Sequence, residues 1–171
     1  SAAEPGHRAQ GLRTGAARFV AHRRRASSPA RARRRRQALR RSSVAAGAAT
    51  TCVFEASGTT VHLRADCTTD TTLLIPDGFT MDGGGFTIAA IDPPNGHFMG
   101  AVVMNAGSAA SILDTHITAQ ALADVCDSGP GRFRGIFFDG AAGMIRGNTV
   151  TDINQGNSRC QEGNAIEVRS M

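Results

Sequence analysis

The chain has 171 residues, 19 of them basic and all of those Arg, with four Cys and neither Trp nor Tyr. Thirteen Arg against the single Glu4 give the first 50 residues a charge of +12, and six Arg against thirteen acids give the rest −7, so the formal +5 describes neither part. That asymmetry implies a basic tail joined to an acidic domain, so a nucleic-acid reading cannot rest on pI alone and would concern the tail only; no apolar run approaches the length of a membrane span.

Residues 1–50 are mostly Ala, Arg, Gly and Ser, with Arg33 to Arg36 in a row and Arg40-Arg41 after them. Without a patterned apolar face the segment cannot offset the entropy of ordering, which predicts a disordered tail that becomes helical between 30 and 46 only on a polyanion. Three roles fit it. It is an arm that neutralises phosphates, an export signal with Arg40-Arg41 as its charged region and Ala49 near the cleavage point, or a leader without function. For the signal, Val44 to Ala49 is a short and Ala-rich apolar core. GC-rich codons yield Arg, Ala, Gly and Pro in almost any frame, which favours the leader. The domain is expected to span 51–171 and to fold without the tail.

From Thr51 the texture changes to short β-branched and aromatic runs broken by Gly, Asp and Asn. Val61 to Leu63, Thr72 to Ile75, Phe79 to Met81 and Phe86 to Ile88 read as strands, with turns at Pro76-Asp77-Gly78 and Asp82 to Gly85. The order of this stretch, above all Phe-Thr-Met-Asp-Gly-Gly-Gly-Phe-Thr-Ile (Phe79 to Ile88), resembles the opening of right-handed parallel β-helix proteins of the pectate-lyase-like superfamily. The resemblance covers Thr51 to the C-terminus and implies an all-β, right-handed parallel β-helix. As to function it implies little, because that superfamily includes polysaccharide lyases, glycoside hydrolases, epimerases, adhesins and repeat proteins.

Further strands are expected at Ala101 to Met104, Ile112-Leu113, His116 to Thr118, Ile136 to Phe138, Met144-Ile145, Thr149 to Thr151 and Ile166 to Val168. No stretch carries a helical apolar stripe long enough for a core helix; Ala119 to Val125 comes nearest. Ser111 to Thr118 aligns with Met144 to Thr151 at an offset of 33 residues, and Gly135 to Asp139 aligns with the later run Asn164 to Arg169. Ile-Arg-Gly-Asn-Thr-Val-Thr (Ile145 to Thr151) also resembles the parallel β-helix repeat itself. A period of this size built from strands too short to bury a face alone is the mark of a stacked solenoid. About three coils are expected from Val61 onward, with Ile112, Ile117, Ile136, Phe138, Ile145, Val150, Ile166 and Val168 facing inward. Asn148 resembles the inward Asn of β-helix bends, whose amide bonds the backbone of neighbouring coils.

Cys126 and Cys160 are 34 residues apart, one more than the repeat, which places them in equivalent loops of adjacent coils and within disulfide reach. Cys52 and Cys67 are left to pair with each other. Two bridges imply an oxidising compartment and a secreted, extracellular protein. Asp124, Asp127 and Glu162 lie beside the second pair and are the candidate ligands for calcium, the simpler reading being solvated loop acids. Arg132, Arg134 and Arg159 share those loops. They are candidates for holding the carboxylates of an acidic polysaccharide or for proton abstraction in a lyase, against the simpler reading that they pair with neighbouring acids.

Phe137 and Asp139 are expected to face outward above Glu167 and Arg169. Asp139 and Glu167 are the conceivable glycosidase pair, although an Asp above an Arg is more simply a surface ion pair. His62, His97 and His116 share no spacing with a nucleophile, and no phosphate loop, dinucleotide fingerprint or Gly-x-Ser-x-Gly occurs. Missing Trp and Tyr argue against a dedicated sugar-stacking platform, for which Phe98, Phe133 and Phe137 are the partial substitutes. The reading is therefore an exported β-helix that meets a polysaccharide or the cell envelope without an identifiable catalytic site and without a required cofactor. The alternatives are a polysaccharide lyase or hydrolase and an Arg-tailed polyanion binder. The last strand runs straight into Ser170-Met171, which reads as a stack cut short and prone to self-associate.

Overall fold

The computed structural model describes residues 50–158 and 163–170, so the Arg-rich segment up to residue 49, together with Arg159, Cys160 and Glu162, lies outside the described residues. The chain opens with β1 (Phe54–Ser57), which doubles back on β2 as an antiparallel hairpin, and then winds with three strands to a turn. The first turn holds β2 (Thr60–Leu63), β3 (Cys67–Thr69) and β4 (Leu73–Ile75), and the second holds β5 (Phe79–Asp82), β6 (Thr87–Ala90) and β7 (Ala101–Asn105). The third holds β8 (Ala110–Leu113), β9 (His116–Ala119) and β10 (Arg134–Asp139), after which β11 (Ile145–Arg146), β12 (Thr149–Val150) and β13 (Asn164–Arg169) follow. Equivalent strands stack into three sheets, β1-β2-β5-β8-β11, β3-β6-β9-β12 and β4-β7-β10-β13, so the chain completes three full turns between β2 and β11. Every pairing other than β1 with β2 is parallel. This is the parallel β-helix that the near-repeat implied.

The registers are those of the sequence alignment: Ile145 pairs with Ile112, Val150 with Ile117, Ile166 with Ile136 and Val168 with Phe138. Alternation along each strand sends one set of side chains inward, where like meets like from coil to coil. Val61, Met81, Ile112 and Ile145 form one such column; Cys67, Ile88, Ile117 and Val150 form a second; Leu73, Val103, Ile136 and Ile166 form a third. Ile112, Ile117 and Ile136 are completely buried, and Phe138 nearly so. Ile145 and Val150 are half-buried, whereas Ile166 and Val168 are 46% and 61% exposed. The last two hold their inward register, but among the described residues β13 has a neighbour on one edge only, so nothing packs over them. At the opposite end β1 supplies that cover, laying Phe54 and Ala56 against the core. β1 is a strand the sequence pattern did not suggest, and the segment after Ala119 is a loop, with Ala121 at positive φ, rather than a helix.

The bends between sheets cannot be apolar, since backbone groups there leave the strand ladders and need other partners. At the bend between β8 and β9, Thr115 is 1% exposed and donates its hydroxyl to Leu113 O at 2.8 Å. One coil further on, Asn148 accepts from Thr115 N at 3.0 Å and donates to Ile112 O at 2.9 Å, the structural role its sequence context implied. One coil earlier the equivalent place is Gly83, where a Cβ would come within 2.2 Å of Thr115 Oγ1. Asn105 does the same work at the bend after β7, accepting from Asp139 N at 2.8 Å and donating to Asp139 O at 3.0 Å.

Cys52 and Cys67 are bonded, with their Cα atoms 4.9 Å apart, and tie the approach to β1 onto β3. Cys126 is disulfide-bonded as well, while Cys160, its expected partner, lies outside the described residues. In the loop-entropy account, a bridge closing 15 residues contributes about 3 kcal/mol. Urea unfolding of the Cys52→Ser/Cys67→Ser protein is therefore expected to show a loss of about that size; a loss below about 0.5 kcal/mol would mean that the hairpin is held by the β1–β2 pairing and its apolar contacts instead.

Candidate functional site

The first cluster to consider is the one the sequence singled out on the outer side of β10 and β13. Arg134 is 1% exposed, among the most buried side chains in the protein. Its guanidinium donates to Glu167 Oε2 at 2.5 Å, to Arg132 O at 2.7 Å and to Gly129 O at 3.0 Å, so it spends its fork on a carboxylate and on the carbonyls of the preceding loop. The loop carries a short 3-10 turn at Gly129–Gly131, which brings those carbonyls round. Glu167 in turn accepts from Asn164 Nδ2 at 2.8 Å and from Arg169 Nε at 2.6 Å. Phe137, directly across from Glu167 in register, lies between the guanidinium carbons of Arg134 and Arg169, 4.7 and 4.9 Å from its ring centroid. It does face outward, yet it is 7% exposed because the two cations cover it.

The ion pair expected between Asp139 and Arg169 is replaced by another: the two are opposite in register, but Arg169 turns to Glu167. Of the six residues considered for substrate, Arg134, Phe137 and Glu167 meet in one network to which Arg132 adds its carbonyl, Asp139 is exposed at the strand end, and Arg159 lies outside the described residues. Hydrogen bonding from Arg134 holds the Glu167 carboxyl at about 2, against 4.5 ordinarily; burial opposes this, and Asn164, the charge of Arg134 and Arg169 add to it.

A second cluster lies in the loops between β6 and β7, β9 and β10, and β12 and β13. Asp127 Oδ2 accepts from Gln155 Nε2 at 2.6 Å, and His97 Nε2 approaches it to 2.9 Å, an ion-pair distance off the line of a hydrogen bond. Asp124 Oδ1 accepts from Asn157 N at 2.5 Å, and Asp92 accepts from both Phe98 N and Ala123 N, at 2.8 and 2.7 Å. The carboxylates at this bend are occupied in tying one loop to the next. Among the described residues no group of three or more His, Cys, Asp or Glu could hold a metal ion, and Glu162, the third residue considered for calcium, lies outside them.

The third cluster was not singled out from the sequence. On the outer face of β3-β6-β9-β12, parallel register aligns Asp66, Thr87, His116 and Thr149 in one column and Thr68, Ala89, Thr118 and Thr151 in the other. Coils repeat every ~4.8 Å and side chains on one face every second residue, so hydroxyls and methyls fall on a regular grid. An open groove of about 620 Å³ runs over this face, lined among others by Asp66, Thr68, Thr87, Thr118 and Gln120. The hydroxyls are bonded to each other across coils: Thr87 Oγ1 to His116 Nδ1 at 3.4 Å, His116 Nε2 to Thr151 Oγ1 at 3.1 Å, Thr151 to Thr118 at 3.5 Å, and Thr118 to Asp152 Oδ2 at 3.4 Å. Neither column holds Arg, Phe, Tyr or Trp. The signal in the sequence was the recurring x in Thr-Ile-Ala, His-Ile-Thr and Thr-Val-Thr, whose apolar centre marks a strand and whose flanks all face one way.

These features define a disulfide-bonded parallel β-helix with one covered, cation-locked face and one open, hydroxyl-lined face. No family model matches the chain, and no curated protein or solved structure matches it at a significant level. Among the described residues no helix is long and apolar enough to cross a membrane.

The locked face makes a testable statement about acid stability. A carboxyl whose pKa falls on folding contributes stability that is complete above its unfolded value and is lost as pH drops through the folded one, here from about 4.5 down to about 2. The Glu167→Gln protein is expected to be less stable at pH 7, because Arg134 is left buried without its counter-charge. Its unfolding free energy, measured in urea from pH 5 to 2, should fall less steeply than that of the wild type. Parallel curves would show that the Arg134–Glu167 bond does not carry the shift.

Proposed function

We propose that this chain is an exported, non-catalytic β-helix, of the pectate-lyase-like kind that Phe79 to Ile88 resembles, and that it docks on polysaccharide through the outer face of β3-β6-β9-β12. The observation that carries this reading is the open groove lined by the hydroxyls of Thr51, Thr68, Thr87 and Thr118. A sugar polymer offers repeating hydroxyls, each both donor and acceptor, and a rigid threonine grid can meet them at little entropic cost because β-branched side chains have few rotamers to lose. A groove without Arg, whose one lining carboxylate Asp66 already accepts from Thr87 N at 2.8 Å, suits a neutral polymer better than an acidic one at pH 7. Export is supported by the Cys52–Cys67 bridge.

The lyase reading gains less from the geometry. It needs an arginine able to approach a uronate, and Arg134 gives its donors to Glu167 and two carbonyls instead.

The test is affinity electrophoresis or titration with soluble dextran and with polygalacturonate at pH 7, together with an assay for unsaturated product. Binding of dextran without product release is expected. The nearly isosteric substitutions Thr87→Val and Thr118→Val should each weaken it about 2- to 10-fold, the worth of one hydrogen bond, and Arg169→Ala should leave it in place. Binding that survives both threonine changes but is lost with Arg169→Ala would move the site to the other face.

A further inference from the structure

The bonds across the threonine face have a direction, and the direction depends on one proton. Asp152 is a carboxylate and can only accept, so Thr118, 3.4 Å away, gives it the hydroxyl proton. With its proton committed, Thr118 accepts from Thr151 at 3.5 Å, and Thr151, its own proton now spent, must accept from His116 Nε2 at 3.1 Å. That assigns neutral His116 as the Nε2–H tautomer, with a lone pair on Nδ1, and Nδ1 therefore accepts from Thr87 Oγ1 at 3.4 Å. In this state every proton of the relay runs one way, from Thr87 to Asp152. The Thr87 oxygen offers lone pairs to the groove.

Protonation of His116 adds the proton at Nδ1, the only nitrogen with a lone pair left. Nδ1 turns from acceptor to donor, and Thr87 must then accept from it and release its own O–H toward the groove. The other three hydrogen bonds keep their direction. Thr87 lines the groove, so the face changes there from accepting to donating and gains a positive charge beside it. The charged groups facing His116 are Asp66, beyond Thr87 in the same column, and Asp152, reached through Thr118 on the coil after; on its own side Asp114 turns toward Gly147.

We propose that His116 sets the ligand preference of this face: neutral imidazole favours a polymer whose hydroxyl donates to Thr87, and imidazolium favours an acidic polysaccharide whose carboxylate accepts from Thr87. This rests on the reading of the face as a polysaccharide surface. It extends that reading by predicting when each class binds.

The experiment titrates the full chain with dextran and with oligogalacturonate at several pH values across the range in which imidazoles titrate, roughly 5 to 8. The ratio of the two affinities is expected to change about tenfold in favour of oligogalacturonate as pH falls, the size of one charge-assisted hydrogen bond. The His116→Gln protein, which keeps an amide donor and acceptor but cannot titrate there, should show a ratio independent of pH. The His62→Gln and His97→Gln proteins should show the wild-type change. A separate readout is the pair of ¹⁵N shifts of the His116 imidazole at high pH, expected to report Nε2–H; an Nδ1–H tautomer overturns the relay whatever binds. Binding with a pH-independent ratio refutes the switch and leaves the docking face standing, and failure of both polymers to bind at every pH refutes both.

Discussion

Parallel in-register stacking is the constraint on which everything else in this chain depends. Each strand donates and accepts along its length with the equivalent strands one coil above and below, and that ladder fixes which residue lies over which. Once Ile145 is over Ile112, Thr149 has to be over His116 and Val150 over Ile117, because the bend between them spends the same number of residues in both coils. The interior is then a set of columns rather than a layer, and a residue is compatible with its position only if it fits its own column. The bends carry the cost. Backbone groups that leave the ladder there must be bonded by Thr115, Asn148, Asn105 or the carboxylates of Asp92 and Asp124, which is why so many polar side chains of this protein serve its architecture.

How much of this the sequence discloses follows from the same constraint. Columns of like apolar residues at a fixed offset leave a repeat that can be read directly, and β8, β9 and β10 against β11, β12 and β13 were legible for that reason. The bend column was not. Gly83, Thr115 and Asn148 occupy equivalent places by three unrelated means, an absent side chain, a hydroxyl and an amide, so alignment by residue type cannot join them. β1 has no repeat partner because it runs against the coils instead of with them. Arg134 was legible only in part: pairing with an acid was expected of it, but what buries it is mostly carbonyl oxygen, which every residue has and no sequence advertises.

Two of the outer faces show what the same scaffold does with different side chains. Over β10 and β13, cations close down on Phe137 and Glu167 and the surface is sealed; the network's bonds are internal and short. Over β3, β6, β9 and β12, the corresponding positions hold hydroxyls on short stems that cannot reach far enough to cover one another, and the groove stays open. Side-chain length decides between the two. An Arg can fold back over its neighbour on the next coil, ~4.8 Å away, and a Thr cannot.

A threonine-rich strand face by itself says little, since β-branched residues suit strands wherever they occur. His116 is what β propensity leaves unexplained. It interrupts a column whose neighbours are Thr87 and Thr149, both its ring nitrogens are engaged by hydroxyls of different coils, and its chain of bonds ends on Asp152, a group that can only accept. A third threonine there would satisfy the strand equally well and would leave each hydroxyl free to rotate. With an imidazole in its place and a carboxylate at the far end, the hydroxyl protons of three threonines on three coils are oriented together, and a surface that stacking makes regular in position becomes regular in polarity.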